Sequence, residues 1–287
     1  MTLATETMTV NIHVGMWTGH RLDKEASREV TDRNGADSDA ARVNKHLIPK
    51  EALKPVVSAA GAMRTHLYKK TLPWKDNGDR LLVRKLFEEF MLEQSRLADQ
   101  FYAAVSKFLD TEYPSLRDQA EFRMGSLFNP DDYPSVDKLR HKFYIHLDVD
   151  AVTEAGDFRV QIDEDALTAL RGEITTATER RITMAMRDVW ERLAESMRSF
   201  TKLVSGDAQF RTATLDNLLE IVGMLPALNI ANDPDLAQLG EDIQAALRGV
   251  EAADLRKDRA VRNTLSVEVT QIMNNMEGLM RAFGGGE

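Results

Sequence analysis

Hydrophobic and polar residues alternate along three short stretches of the chain, which is the pattern of half-buried β-strands. The first stretch is 8–17, the second is 143–150 and the third is 158–162. Residues 154–157, which include a glycine, suit a turn between the last two. We therefore predict a small three-stranded antiparallel sheet whose apolar face packs on helices.

Most of the remaining chain has apolar residues at helical spacing. The predicted helices are 38–46, 51–70, 80–110, 115–127, 163–204, 212–225, 233–250 and a last helix through 265–283. This order predicts an α+β protein that is predominantly helical. We expect a mixed N-terminal domain over 1–162 and a helical bundle, containing one long helix, over 163–287.

Two of these helices carry apolar residues at alternating spacings of four and three, which is typical of helices that pack along their length. The first seam comprises Met186, Trp190, Leu193, Met197 and Phe200, and the second comprises Leu265, Val269, Ile272, Met276 and Leu279. The seams either pair inside one bundle or form an interface between subunits. The sequence leaves both arrangements open.

The charge is unevenly distributed along the chain. The formal net charge is −9, and residues 143–287 hold 15 basic and 25 acidic side chains. One segment, 64–85, is basic and contains aromatic residues, so it is a candidate nucleic-acid-binding segment through Arg64, Lys69, Lys70, Trp74, Lys75, Arg80, Arg84 and Lys85. Such residues bind phosphates and stack on bases. Alternatively, the segment is a solvated helix end followed by a loop, with Trp74 in the core.

Sequence motifs for catalysis are absent. Without cysteine, thiol catalysis and Cys-ligated metal centres are excluded. The chain also lacks a P-loop, G-x-G-x-x-G, H-E-x-x-H and G-x-S-x-G, so we expect neither an enzyme nor a cofactor. The remaining candidate is a divalent-cation site at His146, Asp148 and Asp150, which share one face of the second strand and would need further ligands such as His13. A polar solvent-facing strand explains the same spacing.

Three short motifs resemble those of an uncharacterised family of tailed-phage proteins. They are Trp17-Thr18-Gly19 after the first strand, a Leu-Asn-x-x-x-Asp-Pro-x-Leu-x-x-Leu stretch over 228–239, and the basic Leu255-Arg256-Lys257 with Arg259 and Arg262. The family has no established activity, so no catalytic residue is transferred. Its members are often encoded near a ring-forming MoxR-like ATPase, and the resemblance therefore implies an adaptor or substrate role.

These observations predict a non-enzymatic, phage-type accessory protein that acts through helical protein–protein contacts. Its partner would be a second copy of the chain or an AAA-type ATPase. The alternative is an accessory protein for phage replication or recombination that binds DNA or RNA through residues 64–85. No basic leader is recognised, and no apolar stretch is long enough to cross a bilayer, so we expect a cytoplasmic protein without membrane contact.

Overall fold

The computed structural model describes residues 3–155, 163–206 and 211–284. Over these residues the chain is α+β and mostly helical, as predicted. The described strands are β1 (Thr7–Gly15), β2 (His20–Asp23), β3 (Val43–His46), β4 (Leu72–Pro73), β5 (Arg80–Val83) and β6 (Tyr144–Ala151). The described α-helices are α1 (Leu3–Glu6), α2 (Lys24–Arg33), α3 (Lys50–Lys70), α4 (Phe87–Lys107), α5 (Tyr113–Asp118), α6 (Ala120–Met124), α7 (Val136–Arg140), α8 (Glu164–Ser205), α9 (Thr212–Leu228), α10 (Pro234–Ala246), α11 (Ala252–Lys257) and α12 (Arg259–Gly284).

The strands form two sheets rather than the predicted three-stranded sheet. One is four-stranded in the order β4-β5-β1-β6, and the other pairs β2 with β3. β5 lies antiparallel to both β1 and β4, with Thr7 opposite Val83 and Leu72 opposite Leu81. The prediction found β1 and β6 but missed the strands of two to four residues. The third predicted strand, 158–162, lies outside the described residues.

Most predicted helices are confirmed, with two corrections. The predicted helix over 38–46 is wrong, because Val43–His46 is β3 and pairs with His20–Asp23. The predicted helix over 80–110 begins only at Phe87, because residues 80–83 form β5. Leu81, Leu82 and Val83 are buried in that strand, so their apolar run reflects sheet packing rather than a helical face. The long helix is confirmed as α8, which has 42 residues.

The chain divides into two compact units. The bundle unit comprises Met1–Val10, Thr71–Phe87 and Val149–Glu287, and the middle unit comprises Asn11–Lys70 and Glu88–Asp148. These units do not coincide with the predicted ranges 1–162 and 163–287. Whether those ranges fold independently stays a prediction.

The middle unit is built around an aromatic core. The Trp17 ring lies 5.5 Å from the Tyr113 ring in an edge-on arrangement and 6.3 Å from Phe108. Burial of such rings supplies a large apolar area and favours one packing geometry. The Tyr113 hydroxyl donates to the carbonyl of Pro134 at 2.7 Å, so the one polar atom of that ring is satisfied. This core fixes the end of β1 against α3 and α4.

The bundle unit buries one face of each long helix. α8 packs on α9 and α12, and α10 packs on α9 and α12. The buried residues of α8 begin at Ala185, so the second half of this helix supplies the bundle core. Among the described helices, none is both long enough and apolar enough to span a membrane.

Candidate protein-interaction surface

The two predicted seams face the interior of the bundle unit. All five residues of the first seam are buried, and Leu193 and Phe200 are completely inaccessible. α8 and α12 meet where the first ends and the second begins, since Ser205 Oγ lies 2.7 Å from Ser266 Oγ. The seam residues Met186, Trp190, Leu193, Met197, Phe200, Leu265, Val269 and Met276 therefore belong to the core of one chain. They are not an exposed interface, which is a correction to their use as contact residues.

The second seam differs in detail from the predicted one. Met273, which the prediction omitted, is buried, whereas Ile272 and Leu279 are partly exposed. The predicted spacing assumed a period of 3.5 residues, as in a supercoil. A straight α-helix has 3.6 residues per turn and drifts by about 20° per heptad from that repeat, so its buried face does not keep to the predicted heptad positions.

The loop between α9 and α10 is held by a side-chain clasp. Asn229 Nδ2 donates to the carbonyl of Asp233 at 2.8 Å, and Asn229 Oδ1 accepts from the amide of Asp233 at 2.8 Å. Asp233 caps α10 by accepting from the amides of Asp235 and Leu236. Its second oxygen accepts from Trp190 Nε1 at 3.0 Å. The Leu-Asn-x-x-x-Asp-Pro motif thus anchors the helix pair to α8, which is a structural role.

The exposed surface of helices α9 and α10 carries acidic side chains and no basic ones. Residues 212–247 contain six acidic side chains and no lysine, arginine or histidine. Asp216, Asp235 and Glu241 are exposed, and within the described part of the chain their carboxylates form no ion pair. Leu219 lies on the same pair of helices and is 44% exposed. We call this surface the acidic face. It combines unpaired negative charge with an exposed apolar side chain, and protein-binding surfaces use both.

The residues of the predicted nucleic-acid segment are divided between the two units. Arg64, Lys69 and Lys70 belong to the middle unit, whereas Trp74, Lys75, Arg80, Arg84 and Lys85 belong to the bundle unit. Several of the cations already have acidic partners. Lys70 Nζ lies 2.8 Å from Glu89, Lys75 Nζ lies 3.0 Å from Asp79, and Arg84 lies 3.1 Å from Glu6. Each such pair reduces the charge that a phosphate would meet.

The Trp74 ring is buried, which agrees with the core interpretation, so it presents no face to a base. Arg181 lies 5.8 Å from the ring centroid and occupies that side of it. Arg80 donates to Thr71 Oγ1 at 2.7 Å and to the Thr71 carbonyl at 3.0 Å. Burial raises the pKa of nearby Asp188, and the guanidinium groups of Arg192 and Arg80 oppose that rise. These contacts hold β4, β5 and α8 together.

The predicted metal residues meet only in part. The imidazoles of His13 and His146 both contact the carboxylate of Asp148, at 3.3 and 2.8 Å. Asp150 lies further along β6 and is exposed. Across the described ranges, no group of three or more such side chains is arranged to hold a metal ion.

A buried charge cluster in the middle unit was missed by the sequence analysis. Lys45 Nζ lies 2.7 Å from Asp132 and 3.1 Å from Asp23, and it also donates to the carbonyl of Leu127. Arg21 Nε lies 3.0 Å from the second oxygen of Asp132. The hydrogen bond from Lys45 to Asp132 raises the pKa of Lys45 despite its burial. The cluster borders an open cavity of about 900 Å³, but its charges are paired with each other, so removal of one partner would leave an uncompensated buried charge.

This cluster depends on the β2–β3 register, which sets Arg21 opposite Lys45. Strands of four residues leave no clear periodic signal, so the sequence did not indicate it.

Comparisons with protein-family models, curated protein sequences and solved structures find no match. The resemblance to the phage family therefore stays a prediction, and the functional argument depends on the geometry of this chain alone.

Proposed function

We propose that this protein is a non-enzymatic adaptor that binds a partner protein through the acidic face of α9 and α10. The observation that carries the proposal is a run of 36 residues with six acids and no base, folded as two helices that bury their apolar residues and expose Asp216, Asp235 and Glu241. The clasp at Asn229 and Asp233 fixes the two helices relative to α8. A rigid surface loses little conformational entropy when it binds.

The charge of this face selects the kind of partner. A surface of one sign attracts a complementary surface and raises the association rate. It repels a second copy of itself, so a basic partner protein is favoured over self-assembly through this face. The phage-family resemblance suggests a ring-forming ATPase as that partner, and the proposal requires a basic docking surface on it.

Nucleic-acid binding through residues 64–85 has less support. Its aromatic candidate Trp74 is buried, and three of its seven cations are paired with carboxylates. The overall charge of −9 also opposes the approach of phosphates.

The test compares two triple variants with equal changes of charge. The first, Asp216→Asn/Asp235→Asn/Glu241→Gln, neutralises the acidic face. The matched control, Glu164→Gln/Asp165→Asn/Glu173→Gln, neutralises three exposed acids in the first half of α8. Partner proteins captured from producing cells are identified, purified and titrated against each variant by calorimetry at two salt concentrations.

The proposal expects a purified partner whose affinity falls at least about tenfold with the first variant and much less with the control, and whose salt dependence weakens with the first variant only. Equal affinities for both variants would overturn it. Binding of every captured protein through the middle unit would overturn it as well.

A further inference from the structure

A cleft in the middle unit lies directly on the Trp17-Thr18-Gly19 motif, which the proposed function does not use. Its volume is about 300 Å³, and it is lined by Met16, Trp17, Thr18, His20, Ile48, Pro49, Lys50, Leu53 and Val57. Ligand pockets begin at about this size. The cleft can hold one apolar group of the size of a large side chain.

The motif shapes this cleft through its glycine. Gly19 has a φ of +68°, in the left-handed region that favours glycine, and a side chain there would stand 3.0 Å from Ile48. The carbonyl of Gly19 accepts from the amide of Leu47 at 2.9 Å. The chain therefore turns sharply from β1 into β2, and this turn places Trp17 on one side of the cleft and His20 on its rim.

The inner wall is apolar and largely preformed. Trp17, Ile48 and Leu53 are buried in the core of the middle unit. Val57, one turn further along α3, is 54% exposed at the same cleft. An exposed valine beside buried apolar walls leaves a surface that an apolar ligand would cover with a gain in free energy.

The rim carries a lysine and a histidine. The cleft includes Lys50 and His20, and none of its lining residues is acidic. Lys50 is the first residue of α3, so the positive end of the helix dipole adds to its charge. His20 packs edge-on against His46 with ring centroids 4.2 Å apart, and Arg123 donates to the carbonyl of His46 at 2.8 Å. Burial, followed by the charges of His20, Lys50 and Arg123, lowers the pKa of His46. Lys50 and His20 therefore supply hydrogen-bond donors at the edge of an apolar cleft.

We propose that this cleft binds a ligand that joins an apolar group to a carboxylate. The apolar group fills the space between Trp17, Leu53 and Val57, and the carboxylate meets Lys50 and His20 at the rim. This chemistry has two sources, a free aromatic or branched-chain carboxylic acid and the C-terminal residue of a polypeptide.

In the experiment, the full chain is titrated with three probes, and binding is measured by NMR chemical-shift changes and by calorimetry. N-acetyl-L-phenylalanine and N-acetyl-L-phenylalaninamide differ only in the carboxylate. A pentapeptide with a C-terminal phenylalanine represents the polypeptide source. The proposal expects the acid or the peptide to bind at least about tenfold more tightly than the amide, with shifts at Trp17 and His20. Equal shifts for the acid and the amide, or no binding of any probe, would overturn it.

Two variants with matched controls locate the site. Lys50→Gln should reduce the affinity for the acid to that for the amide, whereas Lys54→Gln, an exposed cation one turn further along α3, should not. Val57→Gln should lower the affinity for both the acid and the amide, whereas Leu92→Gln, which changes an exposed apolar residue of α4, should not. Unchanged binding by Lys50→Gln would contradict the assignment. Tight binding of the peptide with little binding of the free acid would identify a polypeptide C-terminus, and the reverse would identify a small molecule.

Discussion

Asp233 makes three kinds of contact, two through its carboxylate oxygens and one through its backbone. One oxygen caps α10, the other accepts from the Trp190 indole, and the backbone is held by Asn229. The sequence predicted the cap, because aspartate before proline is typical of a helix start. It did not indicate the contact with Trp190, which joins residues 43 positions apart.

Replacing Asp233 separates these contacts. Asp233→Asn keeps the capping oxygen but places a donor opposite the indole, and we expect it to lower the free energy of unfolding by about 1 kcal/mol. Asp233→Ala also removes the cap, and we expect a loss of about 2 kcal/mol. Urea denaturation followed by tryptophan fluorescence measures both values. Asp235→Ala is the control, since the Asp235 side chain is exposed and its removal should change the free energy of unfolding by less than about 0.5 kcal/mol. Equal losses for all three variants would contradict the clasp.

Lys45 gives a second prediction at the residue scale. Lys45→Met leaves the carboxylates of Asp23 and Asp132 without their shared cation, so we expect a loss of about 3 kcal/mol at neutral pH. The exposed Lys24→Met serves as the control and should change little.

The pH dependence of this loss has a definite sign. The pKa of Asp23 is lowered, first by its hydrogen bond from the amide of Ala26 and then by that from Lys45. A carboxyl group whose pKa is lowered in the folded state stabilises the fold at pH values above its pKa in the unfolded chain. This stabilisation is lost as the pH falls through the pKa of the folded state. The difference between wild type and Lys45→Met should therefore shrink below about pH 4. A difference that grows in acid, in denaturation measured from pH 3 to 7, would contradict this account.

At the scale of elements, long periodic segments were predictable and short pairings were not. α3 and α8 begin within one residue of their predicted starts, because periodic apolar positions extend over many turns. β4 and β5 have two and four residues, and the pairing of β5 with β1 joins positions that lie 70 to 76 residues apart in the chain. Over so few residues, the pattern of apolar and polar positions does not distinguish a strand from a helix. The cluster at Lys45 was not predictable for the same reason, because it depends on the register between the short strands β2 and β3.

The packing of α8 on α12 predicts what a seam substitution does. Leu193 is fully buried inside the bundle unit, so Leu193→Ala should lower the free energy of unfolding by about 3 kcal/mol through a cavity. It should not change the mass measured by sedimentation while the chain stays folded. Leu219→Ala, at an exposed position of α9, is the control and should cost less than about 1 kcal/mol. A folded Leu193→Ala whose only defect is a change of oligomeric state would show that the seam lies between chains.

At the scale of the whole molecule, the sequence indicated an acidic C-terminal half, whereas most of the seam residues that it suggested for contacts lie in the core of the bundle unit. The prediction chose the apolar residues of α8 and α12 because their periodicity is clear. An apolar stripe of this kind usually packs inside the core of its own chain. The acidic face has no periodic signal. The only sequence signal for it is composition, since residues 212–247 include no basic side chain. That composition describes a surface only once α9 and α10 are known to pack against each other.

The most direct test of the acidic face is carbodiimide cross-linking of the purified chain to its purified partner, followed by mass spectrometry. This reagent joins carboxylates to lysine amines that are in direct contact. The account predicts links from Asp216, Asp235 and Glu241 to lysines of the partner, and their loss in the neutralised triple variant. Links concentrated at Glu164, Asp165 and Glu173, or on the middle unit, would contradict the assignment of the acidic face as the docking surface.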